Sequence, residues 1–173
     1  MAHRFRRRED AEAIARVLAE LPEPIRARLE AVRYVTDHDP AFLGLHSERA
    51  GDDGRAYRST SHCVWPHNLL HRPASDRRTT IVLQRGEAHD REIVLHELGH
   101  ALDAALGWYR DPIVPLDAYA ARNRREAFAT AFQSWATTTP ADAWRFFHDR
   151  ELLRCRDPRT AALFERLASN RPA

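Results

Sequence analysis

The sequence contains no lysine, so all 27 of its basic residues are arginine. Codon usage in a GC-rich genome explains this preference without any functional cause. The arginines are mixed with 25 acidic residues, which leaves a net charge of only +2. A nucleic-acid-binding protein would concentrate its arginines on one face or in one motif. Nucleic acid is therefore not an expected partner.

Cysteine and long apolar runs are also scarce. Cys63 and Cys155 are the only cysteines, too few for the disulfide framework of a small secreted domain, and both are interpreted as reduced packing residues. No apolar run approaches the ~20 residues that cross a bilayer, and the first residues lack the apolar core of a signal peptide. We expect synthesis in the cytoplasm and no membrane partner, while export without a signal peptide stays open.

The sequence has 173 residues, of which 43% are hydrophobic, and this suits one domain with one core. Residues 1–173 are therefore predicted to form a single domain whose oligomeric state the sequence does not indicate. Its predicted parts are N-terminal helices at about 1–31, a strand and site helices at about 79–137, and C-terminal helices at about 139–170.

Hydrophobic spacing predicts the individual elements. Helices are expected at 9–20 and from Pro22 or Pro24 onwards, the latter burying Ile25 and Leu29. Strands are expected at 32–36 and 79–84. Further helices should run from the N-cap Asp90 to about Leu106, over 116–137, from Thr139 and Pro140, and from Asp157 and Pro158.

The fold class that these elements predict is α+β, mainly α-helical, with a small sheet packed on the helix that starts after Asp90. The strand at 79–84 is the most β-branched and apolar in the chain. We expect it to form the edge of a cleft, because an exposed strand edge can bind an extended peptide.

Residues 93–103 read IVLHELGHALD. On a helix, the four-residue spacing leaves His96 and His100 about 40° apart and one turn along, so both imidazoles can reach one ion. Glu97 beside them can serve as the base for a metal-activated water. Gly99 allows another backbone to approach closely. Burying these polar groups without a shared partner would be costly, which favours a metal site over a coincidental pattern.

A third metal ligand must come from elsewhere. A metzincin would carry a glycine and a histidine where this chain has Asp103 and Leu106, which excludes that class. Glu126 follows His100 by 26 residues at the edge of an apolar helical face, and we favour it as the ligand. The rival carboxylates, which lie in more polar segments, are Glu151 and Glu165.

HELGHALD followed by a tyrosine and by NRREAFATAF resembles the gluzincin metallopeptidase domain of the anthrax lethal factor family, which includes the secreted Pro-Pro endopeptidases. The resemblance spans about residues 79–137. It implies a zincin-like fold and a zinc-dependent endopeptidase acting on a peptide or protein substrate. One Zn²⁺ would be bound by His96, His100 and Glu126, with Glu97 as general base.

The resemblance also implies a catalytic tyrosine, and Tyr119 stands seven residues before Glu126. A helix over 116–137 would put both on one face, and a later helix start would leave a loop to bring Tyr119 there. Its hydroxyl would stabilise the oxyanion. Thr130 replaces a usual acidic residue of the family and Ala127 a frequent aromatic one, but neither touches the inferred ligands. We expect neither the signal peptide of the secreted members nor a toxin-type accessory domain, so substrate identity is not carried over.

Two other functions use the same residues. Two histidines and one carboxylate can hold Fe(II) in an oxygenase or tailoring enzyme, because the donor set alone does not choose the metal. A non-catalytic binding module would instead use the ion structurally and would need a fourth protein ligand.

Several residues near the motif have two interpretations. Asp103 either orients a ligand imidazole as a second-shell group or pairs with an arginine. Trp108 and Tyr109 are expected to pack on the core. Trp65 is expected near the cleft or in the core, within a cluster whose spacing matches no closed zinc site and whose members are His62, Cys63, His67 and His71.

Overall fold

The computed structural model describes residues 2–37, 61–66, 74, 77–84, 86–138 and 148–169. Within these ranges the helices are α1 (Ala2–Glu20), α2 (Glu23–Leu29), α3 (Arg91–Ala105), α4 (Arg124–Ala136), α5 (Arg150–Arg156) and α6 (Pro158–Ala168). The strands β1 (Arg33–Thr36), β2 (His62–Val64) and β3 (Thr80–Leu83) form one sheet. The predicted mainly helical α+β class is confirmed. In the described part of the chain, no helix has the length and apolar character needed to cross a membrane.

The N-terminal helices form largely as their apolar spacing predicts. α1 ends at Glu20 as expected but begins at Ala2 rather than near residue 9. In α2 a proline occupies the first turn, where its missing N–H costs nothing, and Ile25 and Leu29 are buried. Both helices pack against α3, and α2 also contacts α6.

The sheet has the order β1-β3-β2, so β3 is its central strand. β1 runs parallel to β3, and β2 runs antiparallel to it with His62 opposite Val82. The expectation that the strand at 79–84 forms the edge of the cleft is therefore wrong. All four residues of β3 are buried, so both faces of this strand are covered, as its continuous β-branched and apolar sequence indicates. The sheet packs on α3 through β2 and β3.

The boundaries of α3 agree with the sequence signals. Asp90 caps the helix by accepting hydrogen bonds from the backbone N–H groups of Glu92 and Ile93 at 3.2 and 3.3 Å. The helix ends before Gly107, whose φ of +70° is a left-handed conformation that glycine adopts readily.

α4 begins at Arg124, so the predicted helix over 116–137 starts eight residues too early. Asn123 has an extended backbone, and its side chain accepts hydrogen bonds from the N–H groups of Arg125 and Glu126. This N-cap fixes where the helix starts. Upstream, Asp117 accepts a hydrogen bond from Ala120 N at 2.6 Å and starts a short 3-10 turn, Ala120–Arg122.

The C-terminal helices complete the core. Asp157 caps α6, with Pro158 in its first turn, as predicted. The helix expected from Thr139 and Pro140 lies outside the described residues. The largest fully buried side chains include four aromatic residues that bring α4 and α6 together, namely Phe128, Phe132, Trp135 and Phe164.

The two cysteines differ in environment. Both are free thiols, and Cys63 is buried in β2 as a packing residue. Cys155 is exposed on α5, so its interpretation as a packing residue is wrong. Arginines flank Cys155 in the last turn of α5, and this turn faces solvent.

Candidate metal centre

The site lies between α3 and α4, which cross at Gly99. A Cβ atom at this position would lie 2.7 Å from Ala129 Cα and 3.0 Å from Ala129 O, closer than real Cβ atoms come to backbone. The close approach expected at Gly99 is confirmed, and its partner is the backbone of α4. The helices are antiparallel, because Asp103 of α3 contacts Arg124 of α4 while Arg91 contacts Ala136.

Three side chains meet where the two helices face each other. Glu126 Oε2 lies 3.1 Å from His96 Nε2 and 3.3 Å from His100 Nε2. The imidazole rings of His96 and His100 are 4.9 Å apart between centroids and nearly perpendicular. All three side chains are at most 15% exposed. The structure therefore brings together the three residues predicted as metal ligands.

The protonation of these groups is coupled. Burial would raise the pKa of Glu126, but hydrogen bonds and charge interactions with His100 and His96 outweigh burial and lower it strongly. Burial would lower the pKa of His96, but its hydrogen bond to Glu126 and the charges of Glu97 and Glu126 raise it instead. The site thus favours a positive charge beside the Glu126 carboxylate.

A divalent cation would fit this requirement. One ligand atom from each of His96, His100 and Glu126 can be chosen so that all lie within 4.8 Å of one another. Two imidazole nitrogens and one carboxylate oxygen suit Zn²⁺ and other first-row divalent metals. Among the residues that the structure describes, this is the group found capable of holding a metal ion.

Glu97 lies beside the ligands on a cleft. The side chain is only 5% exposed, yet it lines a cavity of about 240 Å³ together with His96. Its negative charge acts on both His96 and Tyr119. A carboxylate therefore lies at the cleft beside His96.

Tyr119 reaches the same cleft from the turn before α4. Its ring lies 5.7 Å from the His96 ring, centroid to centroid, and the residue lines the same cavity as Glu97. Tyr119 is 42% exposed, but its partial burial and the charges of Glu126 and Glu97 raise its pKa, so the phenol keeps its proton at neutral pH. A loop, rather than a shared helix, brings the tyrosine to the site.

Asp103 pairs with an arginine rather than with a ligand imidazole. Its carboxylate is fully buried, 2.6 Å from Arg124 Nη2, and accepts a hydrogen bond from Tyr109 N at 2.8 Å. In the described residues His100 Nδ1 has no hydrogen-bond partner, so of the two roles considered for Asp103 the structure shows the pairing with an arginine. Its contacts instead join the end of α3 to the first turn of α4.

The other residues that the sequence singled out lie away from the site or outside the described residues. Glu151 is exposed and Glu165 is partly exposed. Both accept hydrogen bonds from Arg154, at 3.3 and 3.0 Å, so neither competes with Glu126. His62 and Cys63 are buried in β2. His67 and His71 lie outside the described residues.

Two cleft residues were missed by sequence reasoning. Thr130 and Gln133 are buried and line the cavity together with His96. They follow Glu126 by four and seven residues, which places all three on one face of α4. This spacing could have identified Thr130 and Gln133 as cleft residues, but only once Glu126 is known to face α3.

Comparison with known proteins gives no match among family models, curated proteins or solved structures. The chemistry of the site must therefore be argued from its own geometry.

Proposed function

We propose that the protein is a zinc-dependent endopeptidase with a zincin-like domain. The observation that carries this proposal is the convergence of His96, His100 and Glu126 within 4.8 Å, beside a cleft that Glu97 and Tyr119 also line. This combines three ligands with a base and a hydrogen-bond donor. Those are the parts that metal-assisted hydrolysis of a peptide bond requires.

Each residue has a defined task. A bound Zn²⁺ would polarise the scissile carbonyl and acidify a water molecule. Glu97 would take the proton of the attacking water and deliver it to the leaving amine. The protonated hydroxyl of Tyr119 would donate a hydrogen bond to the carbonyl oxygen as it becomes negative. The peptide or protein substrate would enter through the cleft.

The geometry bears on both alternative functions. In the described ranges, the group able to hold a metal has three members rather than four, which favours an open coordination position over a purely structural site. An Fe(II) oxygenase would use the same three ligands. It would not, however, need a buried carboxylate next to them as a base, which is the position that Glu97 occupies.

The proposal is tested by comparing wild type with Glu97→Gln in metal content and in cleavage of a peptide library. We expect equal zinc content, with turnover lower in the variant by about 10²- to 10⁴-fold. Glu151→Gln is the matched control, because Glu151 is an exposed acid paired with Arg154, and it should keep both properties.

Three results would contradict this proposal. Loss of zinc from Glu97→Gln would make Glu97 a ligand rather than a base. Wild-type protein that contains a metal but cleaves no peptide in the library, or that consumes oxygen when loaded with Fe(II), would overturn the peptidase proposal.

A further inference from the structure

Arg125, the residue before the third ligand, is held by two tryptophans. Its guanidinium carbon lies 4.5 Å from the centre of the Trp65 ring and 4.7 Å from that of Trp108. The two indole rings are themselves 5.2 Å apart in an edge-to-face arrangement. These three side chains, which we call the Trp–Arg–Trp stack, join the segment after β2, the segment after α3 and the first turn of α4.

The stack also contacts a metal ligand. Trp65 is buried, with 2% exposure, and its ring is edge-on to His100 at 6.3 Å between centroids, within the range of favourable aromatic contacts. One indole therefore contacts both the imidazole of His100 and the arginine next to Glu126.

The backbone is strained where it supplies the second tryptophan. Trp108 has φ of +69°, the only positive φ among the described residues other than glycine. A bulky side chain rarely adopts this conformation, and such outliers concentrate at functional sites. The turn is held by a hydrogen bond from Trp108 N to Asp103 O at 2.9 Å. The strained conformation places the Trp108 ring against Arg125.

Both arginines that precede Glu126 thus anchor the first turn of α4 to other segments. Arg124 binds the buried carboxylate of Asp103, and Arg125 lies against the rings of Trp65 and Trp108. Successive helical side chains are about 100° apart, so holding these two side chains fixes the rotation of the turn and the direction of Glu126. An error of about 1 Å there would separate Glu126 from one of the two imidazoles.

We propose that the Trp–Arg–Trp stack is a positioning device that holds His100 and Glu126 in metal-ligating geometry. The inference rests on the metal centre of the proposed function but not on peptide hydrolysis. If the stack merely packs, its loss should reduce stability and leave metal binding by the folded protein unchanged. As a positioning device, it should change metal affinity and coordination in a protein that is still folded.

The test variant is Arg125→Met, which removes the guanidinium cation and keeps an unbranched aliphatic side chain. Two readouts that need no substrate are the Zn²⁺ dissociation constant, from competition with a chromogenic chelator, and the visible absorption spectrum of the Co²⁺-loaded protein. We expect the dissociation constant to rise about 10-fold, as for other groups that orient ligands, and the Co²⁺ spectrum to shift. Thermal unfolding of the metal-free variant should stay within about 2 °C of wild type, since little buried area is lost.

Three further variants sharpen the result. Arg125→Lys keeps a cation over the rings and should recover part of the affinity. Trp108→Asn accepts the positive φ more easily but removes the ring, so it should weaken Zn²⁺ binding like Arg125→Met. Arg150→Met removes a similar contact, 4.7 Å from the centre of the Trp135 ring, that involves neither the stack nor the metal centre, and its zinc affinity should match wild type.

Wild-type affinity and an unchanged Co²⁺ spectrum in Arg125→Met would overturn the inference. An equal loss of affinity in Arg150→Met would do so too. Wild-type protein that binds zinc but cleaves no peptide would remove the proposed activity alone, whereas wild-type protein that binds no metal would remove both.

Discussion

One face of the α3–α4 pair is apolar, and the other carries the ionisable groups of the site. On the apolar face the fully buried side chains are Leu95, Leu98, Leu102, Phe128, Phe132 and Trp135. The opposite face brings together His96, His100 and Glu126. Both faces depend on the same close helix crossing at Gly99.

This difference separates the residues that stabilise the fold from the residues that form the metal centre. Apolar burial stabilises the helix pair whether or not a ligand is present. Ionisable groups held close together and shielded from water need a compensating charge. We therefore expect changes on the apolar face to affect folding first, and changes on the polar face to affect metal binding or turnover in a protein that still folds.

The largest expected effect comes from the apolar face. Phe132 is fully buried and contacts the rings of Trp135 and Phe164. Phe132→Ala should lower the free energy of unfolding of the metal-free protein by about 3–5 kcal/mol, measured by urea denaturation. Val114→Ala, at an exposed apolar position, is the control and should change it by less than about 0.5 kcal/mol. A similarly small change for Phe132→Ala would show that this face does not stabilise the fold.

A smaller effect is expected from the polar face. Tyr119→Phe removes only a hydroxyl, so folding and zinc content should stay at wild-type levels. Turnover of a cleaved peptide should fall about 10²-fold, equivalent to about 2.7 kcal/mol of transition-state stabilisation, with little change in KM. Steady-state kinetics provide the measurement. Cleavage at the wild-type rate would rule out the oxyanion role and remove a main reason for preferring a peptidase.

The smallest expected effect comes from the helix crossing at Gly99, on which both faces depend. In Gly99→Ala the new methyl would meet the backbone of Ala129 at 2.7 Å, so α3 and α4 must separate. Alanine gains about 1 kcal/mol in helix propensity, which offsets part of an overpacking cost of about 1–3 kcal/mol. We expect a net loss of about 1 kcal/mol in denaturation experiments, with weaker zinc binding. A variant that keeps wild-type stability and zinc affinity would show that the crossing distance does not matter.

Local signals in the sequence predict the parts of the site that one helix determines. His96, Glu97 and His100 share a helix whose cap and stop residues are evident, so their relative positions follow from helical geometry. Glu126 was found through its spacing and a family resemblance, and the structure brings it to the histidines. The strands at 32–36 and 79–84 were also predictable from β-branched residues.

Features that depend on distant partners were not predictable. Strand order decides that β3 is central, and periodicity within one strand carries no information about its neighbours. Asp103 has many arginines to choose from, and only the packing of α4 selects Arg124. The helical pattern before Asn123 continued into residues 116–122, but the capping side chain of Asn123 overrides it. The Trp–Arg–Trp stack joins three separate segments and has no local signature.

The central claim is that His96, His100 and Glu126 form one metal site, and metal content tests it most directly. Wild type and Glu126→Gln would be loaded with Zn²⁺, dialysed against metal-free buffer and assayed for bound zinc by mass spectrometry. The amide is close in size to the carboxylate but lacks its charge. We expect one Zn²⁺ per wild-type chain and little or none in a Glu126→Gln protein that remains folded by circular dichroism. Wild-type protein without bound metal, or Glu126→Gln with wild-type zinc content, would contradict the claim.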